Sequence, residues 1–233
     1  MEDLGASLIV ILVTGAVVAG IFVSLAARKR KLESGLQQAA AERGWSVQKI
    51  QHPLTSGYRI SGQLAGGGWA LESRRDASPT SAAPGSSEVS LSTTWFSEAA
   101  RLPGRALVIG ALPPGASAAS VPSFADGFIQ MGLRAMLGAD AEWAGRLKKV
   151  ELGDPVLGGR FLALADEAAD IPRLLDGEGL RLLANLPQNY RPVVKLRENG
   201  LTISLQGLQL VKPEEIQQLV SLGAALLKAW NSG

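Results

Sequence analysis

The chain has 233 residues, with 23 Lys plus Arg against 21 Asp plus Glu, one histidine and no cysteine. The missing cysteines exclude a disulfide-stapled exported fold. The excess of +2 is local: four cations sit at Arg28, Lys29, Arg30 and Lys31, and two acids, Glu2 and Asp3, precede them, so 19 charges of each sign remain from Leu32 onward. That balance excludes a nucleic-acid footprint, which needs Lys and Arg gathered on one face.

Leu4 to Ala27 form a charge-free, predominantly apolar run of 24 residues. At about 1.5 Å per residue it is long enough to cross a hydrocarbon core of roughly 30 Å as one helix. The run predicts a transmembrane anchor over residues 1–31, with the lipid bilayer as first partner. The cations directly after it put the N-terminus outside and the C-terminal part in the cytoplasm, as a single-pass protein of the cell membrane. Arg28, Lys29, Arg30 and Lys31 then lie at the membrane surface, each worth about 1 kcal/mol against anionic headgroups. Ser24-Leu25-Ala26 also fits the small-x-small pattern of a signal-peptide cleavage site. An acidic N-terminal region, the length of the run and the cations behind it oppose cleavage; a cleaved chain would instead place the domain in the periplasm. Ala16, Gly20 and Ser24 recur every four residues and line one stripe of a helix, where a second copy could pack closely.

Leu32, Leu36, Ala39 and Ala40 continue a helical period, and Gly44 is a stop signal, so residues 32–44 are predicted as a juxtamembrane helix. Residues 45–233 are predicted as one α+β domain with a mainly antiparallel sheet and packed helices. Tyr58, Ile60 and Leu64 alternate before Gly66-Gly67-Gly68, and Trp69 and Leu71 resume the period of two, which reads as a hairpin. A phosphate-cradling loop would want a helix and a Lys after those glycines. Residues 76–87, rich in Ser, Ala and Pro, are predicted as a flexible loop. Val89, Leu91 and Trp95 alternate in a further strand, and Ala106 to Ile109 form a continuous apolar run between turns, as a buried strand does. Phe124, Phe128, Met131 and Met136 suggest a short helix over 123–137.

From Val150 the chain carries Leu152-Gly153-Asp154-Pro155, then Arg160-Phe161 with Asp166 five residues on, then a helical stretch over 168–183 with Ala169 and Leu174-Leu175. A strand at 193–196, a Glu198-Asn199-Gly200 turn, a strand at 201–205 and a closing helix follow. This arrangement resembles a group of bacterial membrane-anchored proteins known only as a domain of unknown function, with Leu157 where an aromatic residue is expected. The resemblance implies a fold and a membrane address and transfers no catalytic residue. The residues read structurally on their own account. Asp154-Pro155 initiates a turn, Phe161 and Ala163 face a core, and Asp166 is placed to cap the next helix. Asn199-Gly200 suits a type I′ hairpin, because both residues tolerate positive φ. Pro213 with Glu214 and Glu215 opens a last helix, whose Ile216, Leu219, Val220, Leu226, Leu227 and Trp230 form an apolar stripe for the sheet.

Chemistry is sparse. His52 has no second histidine or cysteine with which to share a metal and precedes a proline in a loop. No nucleophile elbow, Walker or dinucleotide motif occurs. No catalytic, cofactor-binding or metal-binding residue is expected. The reading is a non-catalytic interaction or scaffold module at the cytoplasmic membrane face, binding a membrane or cytoplasmic protein or a second copy of itself. The alternative is a membrane-tethered enzyme with a site built from scattered polar groups.

Overall fold

The structure, a computed structural model, describes residues 20–21, 23–24, 26–28, 30–64, 67–79, 87–112, 137 and 141–232. Every described position from 20 to 42 is helical, and we call the unbroken part, 30–42, helix α1. It stops in a Schellman arrangement: Trp45 N donates to Ala40 O at 2.8 Å and Gly44 N to Ala41 O at 3.3 Å. Gly44 takes φ +68°, a left-handed value that a side chain resists.

Nine strands then form one sheet in the order β1-β2-β3-β4-β9-β8-β5-β7-β6, with each adjacent pair antiparallel. The strands are β1 (Ser46–Gln51), β2 (Thr55–Leu64), β3 (Gly67–Pro79), β4 (Ser87–Ser97), β5 (Leu107–Ala111), β6 (Lys148–Val150), β7 (Phe161–Ala165), β8 (Pro192–Arg197) and β9 (Gly200–Gln206). The further helices among the described residues are α2 (Ala141–Ala144), α3 (Pro155–Gly158), α4 (Asp170–Leu174), α5 (Gly177–Ala184) and α6 (Pro213–Ser232). The expected α+β class with a mainly antiparallel sheet is the one observed. No helix among the described residues is long and apolar enough to cross a membrane. The predicted span, residues 4–27, lies mostly outside those described.

Alternation decides which face of the sheet is covered. Ile60, Leu71, Trp95, Ile203, Leu205 and Val194 point to one side and join Leu36 of α1 and the stripe of α6 in a single core. All the residues expected in that stripe, Ile216, Leu219, Val220, Leu226, Leu227 and Trp230, are buried. α4 and α5 add Ile171, Leu174 and Leu183 to the same layer. Toward the β6 end the other face is covered as well: Val108, Leu162, Leu164 and Val193 pack with Leu137, Ala141, Ala144 and Leu147. Strands covered on both sides have no water-facing positions, which is why 107–109 and 161–165 are unbroken apolar runs.

Two buried hydroxyls tie the link between β9 and α6 across the covered face. Thr93 Oγ1 donates to Leu208 O at 2.9 Å and accepts from Leu210 N at 3.0 Å. Ser73 Oγ donates to Leu210 O at 2.8 Å. The crossing segment finds no strand partner there, so these side chains satisfy backbone groups that burial would otherwise orphan.

Four local expectations are corrected. The flexible loop expected over 76–87 fails at both ends, because β3 runs on to Pro79 and β4 starts at Ser87, with Asp76 opposite Ser90 and Ala77 opposite Val89; residues 80–86 lie outside those described. The helical stretch over 168–183 is two helices: Asp176, at the extended φ/ψ of an N-cap, accepts from Gly179 N at 2.9 Å and restarts the chain as α5. Asp166 caps nothing; its Oδ2 accepts from Ala106 N at 2.7 Å and ties the end of β7 to the start of β5. The β8–β9 hairpin forms where expected, but Arg197 pairs with Gly200, so the turn residues are Glu198 and Asn199. No non-glycine residue among those described has positive φ, and in this turn only Gly200, at +131°, uses the freedom a type I′ turn would need twice. The short helix expected over 123–137 falls outside the described residues apart from Leu137, which is buried.

Gly223 sits where α6 crosses β4, and a Cβ built there would meet the Trp95 ring at 2.5 to 2.7 Å. Helix propensity alone favours Ala over Gly by about 1 kcal/mol. The contact reverses that sign: Gly223→Ala is expected to lower stability by about 1 to 2 kcal/mol through overpacking, read as the midpoint shift in urea unfolding.

Candidate functional site

The residues that the sequence marks for the membrane surface collect at the end of the domain where α1 begins. Arg28, Arg30 and Lys31 are helical and exposed; Lys29 lies outside the described residues. Gly20 and Ser24 are helical and exposed too, and a Cβ built on Gly20 meets nothing within 4 Å. The third member of that stripe, Ala16, lies outside the described residues.

α1 is fastened to the domain along its length. Leu36 and Ala40 are 6% and 2% exposed. A Cβ built on Gly35 would lie 4.0 Å from Pro213 Cγ of α6, and Lys49 Nζ of β1 donates to Glu33 Oε1 at 3.0 Å. Leu36 and Ala40 are four apart, so one helical stripe enters the core while the basic cluster stays outside it. The 3.6-residue period of 32–40 carries the signal for this; what it lacks is the receiving surface, drawn from β2, β3 and the distant 209–213 segment.

A cavity of about 350 Å³ opens beside α1, walled by Leu32 and Leu36 on the helix, Lys49 and Ile50 on β1, Tyr58 on β2 and Arg75 on β3. Tyr58 is its most perturbed group. The phenol is pushed up to about 12, chiefly by burial, with the Glu215 carboxylate acting in the same direction and the Ser73 hydroxyl against it. Its oxygen is enclosed beside Ser73 with no hydrogen bond of good geometry. Tyr190 is raised as well, by burial and then by the same Glu215.

A larger, more open cavity of about 870 Å³ lies on the uncovered face near the β2–β3 turn. Its charged groups have partners: Arg43 stacks over Trp45, Arg59 Nη1 lies 3.5 Å from Glu72, and Glu98 accepts from Arg101 at 3.0 Å. Trp45 and Trp69 meet edge to face beneath it, 5.3 Å between centroids. What it presents is arginine, glycine backbone and serine, a hydrogen-bonding surface with a single carboxylate and no paired acid and base. Elsewhere, Asp170 is buried, its carboxyl raised by desolvation against the pull of Arg105, whose Nη1 lies 3.2 Å away. Arg105 also pairs with the exposed Glu167, so this group fastens the β5 and α4 ends together. Among the described residues no three histidine, aspartate or glutamate side chains gather as a metal site. His52 is exposed in the β1–β2 turn, where its backbone N donates to Thr55 O at 2.8 Å.

No family model matches the chain, and no curated protein matches it. Among solved structures the chain is weakly similar to the crystal structure of the mycobacterial trehalose monomycolate transport factor A, TtfA. The TM-score is 0.44 and the identity 11%, over 86% of this chain and 96% of that one.

Both tyrosines of the chain have raised values, so both ionise at higher pH than free tyrosine, Tyr58 only toward about 12. A folded-state value above the unfolded one contributes stability that is complete below pH 10.0 and is lost as pH climbs toward about 12. Near-ultraviolet titration of the native chain should therefore show phenolate appearing later than in free tyrosine, with the Tyr58 share appearing together with loss of circular dichroism. Tyr58→Phe should flatten most of the alkaline fall in stability.

Proposed function

We propose that the chain is a membrane-tethered, non-catalytic interaction module, carried on its N-terminal apolar run with the α+β domain on the cytoplasmic side. One observation carries the reading: the helix that continues from the basic cluster is itself part of the domain core, through Leu36 and Ala40. A domain on a flexible linker samples many distances from its anchor, whereas one built on the emerging helix is held at a set height. The cations at Arg28, Arg30 and Lys31 stay free of the core and face outward, as a positive-inside flank requires.

Tethering concentrates the uncovered sheet face, with its arginine- and serine-lined cavity, in the layer of cytoplasm next to the bilayer. The partner is a protein of that layer or a second copy of the chain packed along Ala16, Gly20 and Ser24.

The test is topology and capture in cells. Full-length chain fused at its C-terminus to green fluorescent protein should fractionate with membranes, resist carbonate extraction and fluoresce, while the alkaline phosphatase fusion stays inactive. In-cell crosslinking should yield self or partner adducts that vanish when residues 1–31 are removed. Release by carbonate, or an active phosphatase fusion, overturns the tether or its orientation, and adducts unaffected by removing residues 1–31 overturn the role given to the anchor.

A further inference from the structure

The strand after α1 doubles back toward the anchor. α1 ends at residue 42, the chain turns over Gly44 and Trp45, and β1 returns alongside it, with Lys49 against Glu33 at 3.0 Å. Glu33 is six residues past Ala27, about 9 Å along a helix axis. From Lys49 to Gln51 the strand recovers about 7 Å of that height, at roughly 3.3 Å per residue. The turn of residues 52–54 projects further in the same direction. Leu54 thus reaches the level of the basic cluster, the depth of lipid headgroups if Ala27 marks the hydrocarbon edge.

The side chains at that level are unusual for a turn in water. Leu54 is 54% exposed and Val89 43%. They lie at the same end of the sheet, on either side of β3: Leu54 O accepts from Ala77 N at 2.7 Å, and Ala77 pairs with Val89. Leu32, Ile21 and Val23 are the other large apolar side chains exposed among the described residues, and all three lie on the helix at or before this end. Arg75 stands exposed on the neighbouring strand, opposite Ser56, without an ion-pair partner among the described residues. Of the acids there, Asp76 is engaged by the Thr55 hydroxyl at 2.7 Å and Glu33 by Lys49, which leaves Glu88 at the β4 corner. Apolar tip and cationic surround are the chemistry of an anionic membrane interface.

We infer that this end of the domain is a second membrane contact: Leu54 at the tip of the β1–β2 turn enters the headgroup layer of an anionic bilayer, and Arg75 and the 28–31 cluster rest on its phosphates. The inference rests on the tether reading and goes beyond it, because an anchor alone leaves the domain free to tilt about α1, and a second contact fixes which face points into the cytoplasm.

The chain has no cysteine, so single-cysteine labelling is direct. Full-length Leu54→Cys, carrying an environment-sensitive fluorophore, is reconstituted in phosphatidylcholine vesicles with and without phosphatidylserine, with a quencher attached to lipid headgroups. Asn199→Cys, exposed on the β8–β9 turn at the opposite end of the sheet, is the reference. The label at 54 should be quenched well above the label at 199, and more so with phosphatidylserine. Arg75→Gln should lower the docked-to-undocked ratio about fivefold, the equivalent of about 1 kcal/mol for one basic residue at an anionic surface. Equal quenching at the two positions, in a chain that floats with the vesicles, overturns the contact and leaves the tether standing. A chain that does not float overturns both. A label at 54 shielded from water yet untouched by the lipid quencher assigns the patch to a polypeptide and overturns the lipid.

Discussion

Trp95 pressed against Gly223 sets the distance between the longest helix and the middle of the sheet. β4 lies between β3 and β9, so a large ring on its inward side meets whatever crosses there, and only a residue without a side chain lets a helix backbone come that near. The remaining inner layer is arranged around this spacing. The crossing segment before α6 must lie flat to deliver the helix at that height, and the hydroxyls of Ser73 and Thr93 hold it flat by taking up its backbone groups. Pro213 then begins α6 beside Gly35, which leaves a slot that α1 fills with Leu36.

The two faces of the sheet consequently do different jobs. The inner face is apolar and closed, and it is where α1 is taken into the fold. The outer face at the β1–β4 end carries Arg59, Glu72 and Arg74 in ion pairs with Ser92 and Thr94 alongside, a polar surface that costs little to hydrate and offers donors to another molecule. The helix is thus rooted in one face, and the polar face is left open to another molecule.

Much of this architecture was legible where burial is one-sided. Ile60, Leu71 and Trp95 alternate with polar residues, and Pro213-Glu214-Glu215 opens α6, because period and capping are local physics. Strand order was not legible: the segments that flank β4, ending at Pro79 and beginning at Gly200, are separated by more than half the chain, and nothing local brings β9 there. Nothing local marks Ser73 and Thr93 as buried, since a hydroxyl declares itself so only once its backbone partners are known. Asp166 and Asp176 both have a cap's chemistry; tertiary contact gave one of them to Ala106 and left the other to break a helix. At the candidate site, the cations and the α1 stripe could be read from spacing. Leu54 could not, because its meaning depends on Val89, Arg75 and the direction in which β1 runs relative to α1.

The strand order also imposes a timetable. β4 is finished by residue 97, but the neighbour that completes its hydrogen bonding, β9, begins at Gly200, and β5 likewise waits for β8. A ribosome therefore releases the first hairpins long before the sheet can close, and two unpaired edges persist until nearly the whole polypeptide has emerged. Long-lived open edges invite pairing between chains, which is the hazard this strand order carries. The order of the strands leaves the edge that β4 opens to be closed by a segment made much later.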